Sequence, residues 1–313
     1  MSTDSSAPSH TLATTTPVAR PQRLWPGLAL ATAGSIAFSG KAIIVKLAYR
    51  HQVDAVTLIM YRMLFALPLF VALAWWAGRG RPALTGRDWR AVAGLGLTGY
   101  YLASFLDFAG LAYVSAGLER LVLYLNPTLV LLLGRVLFKR RVAARQLVAL
   151  AVSYAGVLLV FGHEASIAGS HVVLGTALVF ASAVSYAVYM TFSGEEVRRL
   201  GSLRLTGLAS TVACVLCIGQ FLLLRPLSAA RVDDAVLGLS VLNAVACTVA
   251  PVLMVMMAIE RIGPAMAAQT GMVGPVSTIL MGVVILGEPF TAWTAAGTLL
   301  VIAGIFVFTR TGR

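Results

Sequence analysis

Apolar blocks of about 16 to 25 residues follow one another along almost the whole chain, separated by short polar patches. That spacing constrains the fold more than any motif does, because the ~30 Å hydrocarbon core of a bilayer takes about 20 helical residues. A helix satisfies its backbone N–H and C=O groups internally, so blocks of this length cross membranes as helices. Only 12% of the 313 residues are charged and 59% are hydrophobic, against roughly 25% charged in an ordinary soluble domain. The chain is therefore predicted to be an integral membrane protein.

The blocks predict ten spans. The first five are Trp25 to Tyr49, Val56 to Trp76, Ala91 to Tyr113, Ala116 to Phe138 and Gln146 to Phe161. The second five are Val172 to Phe192, Leu205 to Leu224, Val236 to Ile259, Pro264 to Leu286 and Thr291 to Phe308. Residues 1–22, rich in Ser, Thr and Pro and without an apolar core, read as a disordered cytoplasmic tail and not as a signal peptide.

The net charge of +12 would suit a nucleic-acid binder, but most of the positive charges lie in short loops between apolar blocks. There they set membrane orientation, and no nucleic-acid partner is expected. Counting Lys and Arg at the span ends, 16 fall with the N-terminal tail, the even-numbered loops and the C-terminus. Only Arg50, Arg225 and Arg231 fall on the other side. Both termini are predicted to be cytoplasmic.

A shift of 148 residues lays one half of the chain on the other, matching Gly27 with Gly175, Pro127 with Pro275, Gly134 with Gly282 and Gly156 with Gly304. Residues 25–161 and 172–309 are thus two five-helix repeats. Because five is odd, the second repeat enters the membrane from the opposite side, and the predicted fold is an all-α membrane protein of ten transmembrane helices in two inverted repeats. That symmetry is the usual basis of alternating access in secondary transporters, with substrate bound near the midplane between the halves.

Formal charges inside the spans are Lys41, Lys46, Arg62, Asp107, Glu119, Arg120 and Arg135, all in the first repeat. Lys46 and Arg135 lie close to span ends and read as interfacial anchors. Lys41, Arg62 and Asp107 lie at one level, roughly 9 to 12 Å in from the outer surface, and are expected either to pair with one another or to meet substrate. Tyr100, Ser104 and Asp107 recur at i, i+4, i+7 and should share an inward face. Glu119 and Arg120 lie nearer the outer end, where a gate or a surface pair is expected.

Pro127, with Tyr124 and Asn126 beside it, and Pro275, with Gly271 and Gly274, interrupt corresponding spans of the two halves. A proline frees a carbonyl, which is tolerable in a membrane only beside protein or a wet cavity, so paired interruptions point to a central site or to packing kinks. Tyr186 and Tyr189 occupy the shifted places of Phe38 and Lys41 and could stack on an aromatic substrate or fill the core. Small residues along the first and sixth spans permit close backbone approach, as a moving or a static contact. Cys214, Cys217 and Cys247 sit inside spans without the further ligands that a metal site needs, and no cofactor is expected.

The stretches AGLAYVSAGLERLVLYLNP (Ala109 to Pro127), MAIERIGPAMAAQTGMVGP (Met257 to Pro275) and LGEPFTAWTAAGTLLVIAG (Leu286 to Gly304), with Tyr61-Arg62 in the second span, resemble the drug/metabolite transporter superfamily in its ten-helix, two-EamA-domain branch. The first repeat departs from the pattern at Lys139-Arg140-Arg141, where the second has Gly287-Glu288-Pro289. The resemblance implies a bacterial inner-membrane exporter of amino acids or related metabolites, nearest to aromatic amino-acid exporters of the YddG kind. Its partners would be a small-molecule substrate and the lipid bilayer, and a monomer is compatible with the reading.

Multidrug or quaternary-cation export is the alternative, but it would favour an acidic, aromatic site without buried lysine and arginine. No G-x-x-x-x-G-K-[ST] pattern couples the chain to ATP. The four histidines fall in the tail and outer loops, which gives an intramembrane enzyme no base and leaves the catalytic reading without residues.

Overall fold

The computed structural model describes residues 24–139, 144–271 and 273–311. The tail predicted at residues 1–22 lies outside them, as do Arg140 and Arg141. Among the described residues eight helices are long and apolar enough to cross a bilayer, and the shorter apolar helices Val273–Leu286 and Ala292–Val307 bring the set to ten.

In chain order the helices are α1 (Leu24–Tyr49), α2 (Ala55–Gly78), α3 (Gly86–Leu111), α4 in two pieces (Ala116–Leu123 and Asn126–Phe138) and α5 (Ala144–Ala168). They continue as α6 (Ser170–Leu200), α7 (Ser202–Leu224), α8 (234–270), α9 (Val273–Leu286) and α10 (Ala292–Thr311). Several predicted boundaries are corrected: α5 runs to Ala168 and not Phe161, α6 to Leu200 and not Phe192, and α9 starts at Val273 and not Pro264. The eighth span does not end at Ile259 but continues helical to Thr270, so the polar patch at 260–261 lies within the helix. Arg261 bends back to donate to the carbonyl of Met257, 3.0 Å away.

The packing obeys the repeat. Helix α1 lies along α8 and α3 lies along α6, two pairs that exchange under the shift, while α2 with α7 and α5 with α10 map onto themselves. Glycines mark the same equivalence. A Cβ on Gly27 would stand 2.3 Å from Ile262 Cγ2, and one on its counterpart Gly175 would stand 2.8 Å from Val114 Cγ1. Likewise Gly156 faces the Gly297 carbonyl at 2.6 Å and Gly304 faces the Ala149 carbonyl at 2.7 Å. Backbones this close leave no room for a side chain, which is how helices associate where lipid supplies no hydrophobic drive between them.

Two features open the regular ladder where the halves meet. A π-helical segment interrupts α3 at Gly96–Leu102, and another interrupts α8 at Val245–Val249, which is the corresponding place in the second repeat. Such bulges release carbonyls from the i→i−4 pattern and tend to fall at functional sites. The α6 hydroxyls take them up on α3: Ser182 donates to Ala103 O at 2.6 Å and Ser185 to Thr98 O at 2.7 Å.

The second feature is the break in α4 at Tyr124-Leu125, matched by the break ahead of α9. Carbonyls at the second break take additional donors from α1 and α4: Ser35 and Tyr124 donate to Gly271 O at 2.8 and 3.0 Å, and Ser39 donates to Gly274 O at 2.9 Å. Part of the small-residue stripe of α1 therefore supplies hydroxyls as well as close approach. Pro127 lies in the first turn of the second piece of α4 and Pro275 near the start of α9, positions where a missing N–H costs nothing.

Candidate functional site

A cavity of about 320 Å³ lies where these interruptions meet, bounded by α1, α2, α3, α4, α6 and α8. Of the residues singled out from sequence, Lys41, Arg62, Tyr100, Ser104, Asp107, Tyr124 and Tyr186 line it. Tyr189 does not. It is buried behind Tyr100 among Val92, Leu95 and Leu205, with its hydroxyl 3.2 Å from that of Tyr100 and the two rings edge to face at 5.2 Å. Its place under the repeat shift put it at the right depth, but its side chain enters the α3–α6–α7 packing and supports the cavity wall from outside.

The charges are arranged differently from the expected trio of Lys41, Arg62 and Asp107. Lys41 Nζ is hydrogen-bonded to Asp107 Oδ2 and stands 3.3 Å from Glu119 Oε1. Glu119 is wholly buried at 0% exposure, and Arg120 lines the cavity. The expectation of a surface pair fails for Glu119 and Arg120 because the first piece of α4 is buried from Ala116 to Val122 inside the bundle. Depth along the membrane normal does not say which helices are central.

Arg120 donates from Nε to Thr278 Oγ1 at 2.9 Å and from Nη2 to Phe38 O at 3.2 Å. These bonds fasten the outer piece of α4 to α9 and α1. Pro127 and Pro275 are not cavity-lining; they shape the helix starts described above.

Arg62 is the cation left over. It is 5% exposed, and among the described residues no carboxylate lies within 4 Å of it. Its Nε donates to Thr248 Oγ1 at 2.9 Å, its guanidinium lies 5.1 Å from the ring centre of Phe108, and its Nη1 is buried without a hydrogen-bond partner. Asp107 Oδ1 is likewise buried and unpartnered. Thr248 is held in turn by donating to Asn243 O at 2.8 Å across the α8 bulge.

Sequence reasoning missed Thr248, although the repeat shift would have found it as the counterpart of Tyr100, which occupies the bulge of α3. The walls around these polar groups are aromatic, from Phe38, Tyr100 and Tyr186. With all groups ionised, the three cations Lys41, Arg62 and Arg120 exceed the two carboxylates Asp107 and Glu119 by one.

A bundle of ten apolar helices in paired halves around a charged, partly aromatic central cavity defines a membrane transporter of the inverted-repeat class. The comparisons agree. The profile of the EamA-like transporter family matches residues 25–162 and 173–310, two stretches that begin 148 residues apart. The chain belongs to the EamA-like transporter family, within the drug/metabolite transporter superfamily.

It is 31% identical to the uncharacterized transporter YcbK of Bacillus subtilis over 82% of this chain and 83% of that protein. It is 27% identical to an uncharacterized transporter of Archaeoglobus fulgidus over 72% of this chain and 79% of that one. A solved crystal structure superposes with a TM-score of 0.62 at 18% identity, covering 91% of this chain and 96% of the other, which shows the shared fold.

Proposed function

We propose that this transporter exports zwitterionic amino acids, aromatic and other neutral ones, across the bacterial inner membrane by alternating access, with both termini in the cytoplasm. One observation carries the reading: Arg62 Nη1 and Asp107 Oδ1, a donor and an acceptor of opposite charge, are both buried and unpartnered on side chains lining the same cavity. A buried charged group without a partner is costly. An α-carboxylate on Arg62 and an α-ammonium on Asp107 would satisfy both.

The volume of about 320 Å³ is at the small end of ligand pockets and suits a metabolite better than a large drug. Phe38, Tyr100 and Tyr186 offer ring faces and edges to an aromatic side chain. In this reading Lys41 holds the Asp107 and Glu119 side chains in place, while Tyr124 and Ser104 border the bound ligand.

Counterflow of labelled phenylalanine into proteoliposomes loaded with unlabelled amino acids tests this. Exchange is expected with neutral amino acids and is expected to be lost in Arg62→Met. Exchange only with organic cations would replace the reading by cation export.

A further inference from the structure

The predicted outer end of the bundle holds a second cavity, of about 340 Å³, which the transport reading above does not use. Lys46, Tyr49 and Arg50 of α1 form one wall, the end of α3 at Leu111 a second, and Glu288, just after α9, a third. Lys46 was expected to anchor α1 by snorkelling to the interface. It instead lines a cavity that also contains a carboxylate, an arrangement that a lipid anchor does not require.

Among the described residues the Lys46 ammonium has no carboxylate within 4 Å. Arg50 spends one N–H on the carbonyl of Leu286 at 2.8 Å. Glu288 is turned into the cavity by Gly287, whose φ of 74° only glycine adopts without strain. One of its oxygens accepts from the backbone N–H of Ala116 at 2.9 Å.

The chemistry repeats that of the central cavity: cations, one carboxylate and an aromatic wall. Tyr49 of the outer cavity follows Lys41 by eight residues on α1, about 12 Å further along the axis and near the same face, and Leu111 follows Asp107 by one turn on α3. The two cavities therefore lie in sequence along one α1–α3 seam. We infer that the outer cavity is a second binding station for the same class of ligand, with Lys46 and Arg50 taking the carboxylate and Glu288 the ammonium. The inference rests on the amino-acid reading of the central site.

Equilibrium titration of L-phenylalanine into the purified full-length protein in lipid-free detergent tests it. The wild type is expected to bind two equivalents. Arg62→Met is expected to retain one, and Lys46→Met and Arg50→Gln one each; Arg50 is exposed at a helix end, so its variant supplies folded protein if Lys46→Met does not.

A single wild-type equivalent that disappears in Arg62→Met overturns the outer station and leaves the central reading intact. No binding to the wild type overturns both. Two equivalents persisting in Lys46→Met and Arg50→Gln overturn the assignment to these residues. A phosphatidylethanolamine headgroup offers the same anion and ammonium, so an outer equivalent abolished by adding that lipid, but not phosphatidylcholine, would assign the cavity to lipid and overturn the proposal.

Discussion

At the scale of single residues, the buried charges divide labour. Lys41 neutralises two carboxylates at once, and removing one partner from a buried ionic cluster costs about 3–5 kcal/mol. Lys41→Met leaves Asp107 beside Glu119 with only Arg120, 4.0 Å from Glu119, as a neighbouring cation, and is expected to lower the melting temperature markedly. Asp107→Asn, which leaves Lys41 with Glu119, is expected to be milder, and the double variant should recover part of the loss; thermal melts of the three variants form the required cycle.

Thr248 orients rather than neutralises. Thr248→Val removes the acceptor that fixes Arg62 Nε, a hydrogen bond to charge worth about 1.5–3 kcal/mol. Transport efficiency for a neutral amino acid is expected to fall by about tenfold or more, with a melting temperature lowered less than in Lys41→Met; unaltered transport would remove Thr248 from this role. The ionised groups were legible in the sequence because a charge in an apolar span stands out. Thr248 was legible only through the repeat shift from Tyr100, because a lone threonine in a span carries no signal of its own.

At the scale of elements, what could be read was whatever the chain writes locally. Each apolar block is contiguous, so every helix was placed, with the largest end errors at α5, α6, α8 and α9, and the matched prolines of α4 and α9 marked both breaks. The continuation of α8 through 260–263 was missed because a polar pair followed by Gly-Pro reads as a loop, although the helix runs on through it to Thr270. The centrality of the first piece of α4 was also illegible, since it depends on packing against distant helices.

Helix contacts outside the apolar region make a separate prediction. Asp54 caps α2, accepting from the N–H groups of Val56 and Thr57 and from Thr57 Oγ1, and pairs with Arg225 Nε of the loop after α7 at 3.1 Å. Burial by itself would raise its pKa, but the Thr57 bonds and Arg225 outweigh it and hold the carboxyl below its ordinary value of 3.8. A carboxyl lowered in the folded state stabilises above its unfolded pKa, and that contribution is lost as pH falls through the folded value. Melting temperatures should thus be insensitive to Asp54 between pH 8 and 5 except for a constant offset in Asp54→Asn, and the difference between variant and wild type should shrink below about pH 4. An offset constant down to pH 2 would contradict the assigned role.

At the scale of the whole molecule, the repeat organises everything described. One shift of 148 residues relates the family matches, the glycine crossings, the two helical bulges and the paired helix breaks. The charged groups of the central cavity do not follow it, since they all lie in the first half, so a symmetric frame encloses an asymmetric site. The arginine distribution predicts a direction for the frame. Because Cys214, Cys217 and Cys247 are buried, a cysteine introduced at Gln52 is expected to react with a membrane-impermeant maleimide in intact cells, and one at Ala83 only after permeabilisation. The reverse pattern would invert the orientation.

The central claim, that Arg62 and Asp107 together hold the two ends of a zwitterion, is tested most directly by ligands that lack one end. Counterflow in proteoliposomes should be compared for phenylalanine, 2-phenylethylamine, which has no carboxylate, and 3-phenylpropionate, which has no ammonium. The account predicts rapid exchange of phenylalanine and at least tenfold slower exchange of either analogue; exchange of 2-phenylethylamine as fast as that of phenylalanine would contradict it.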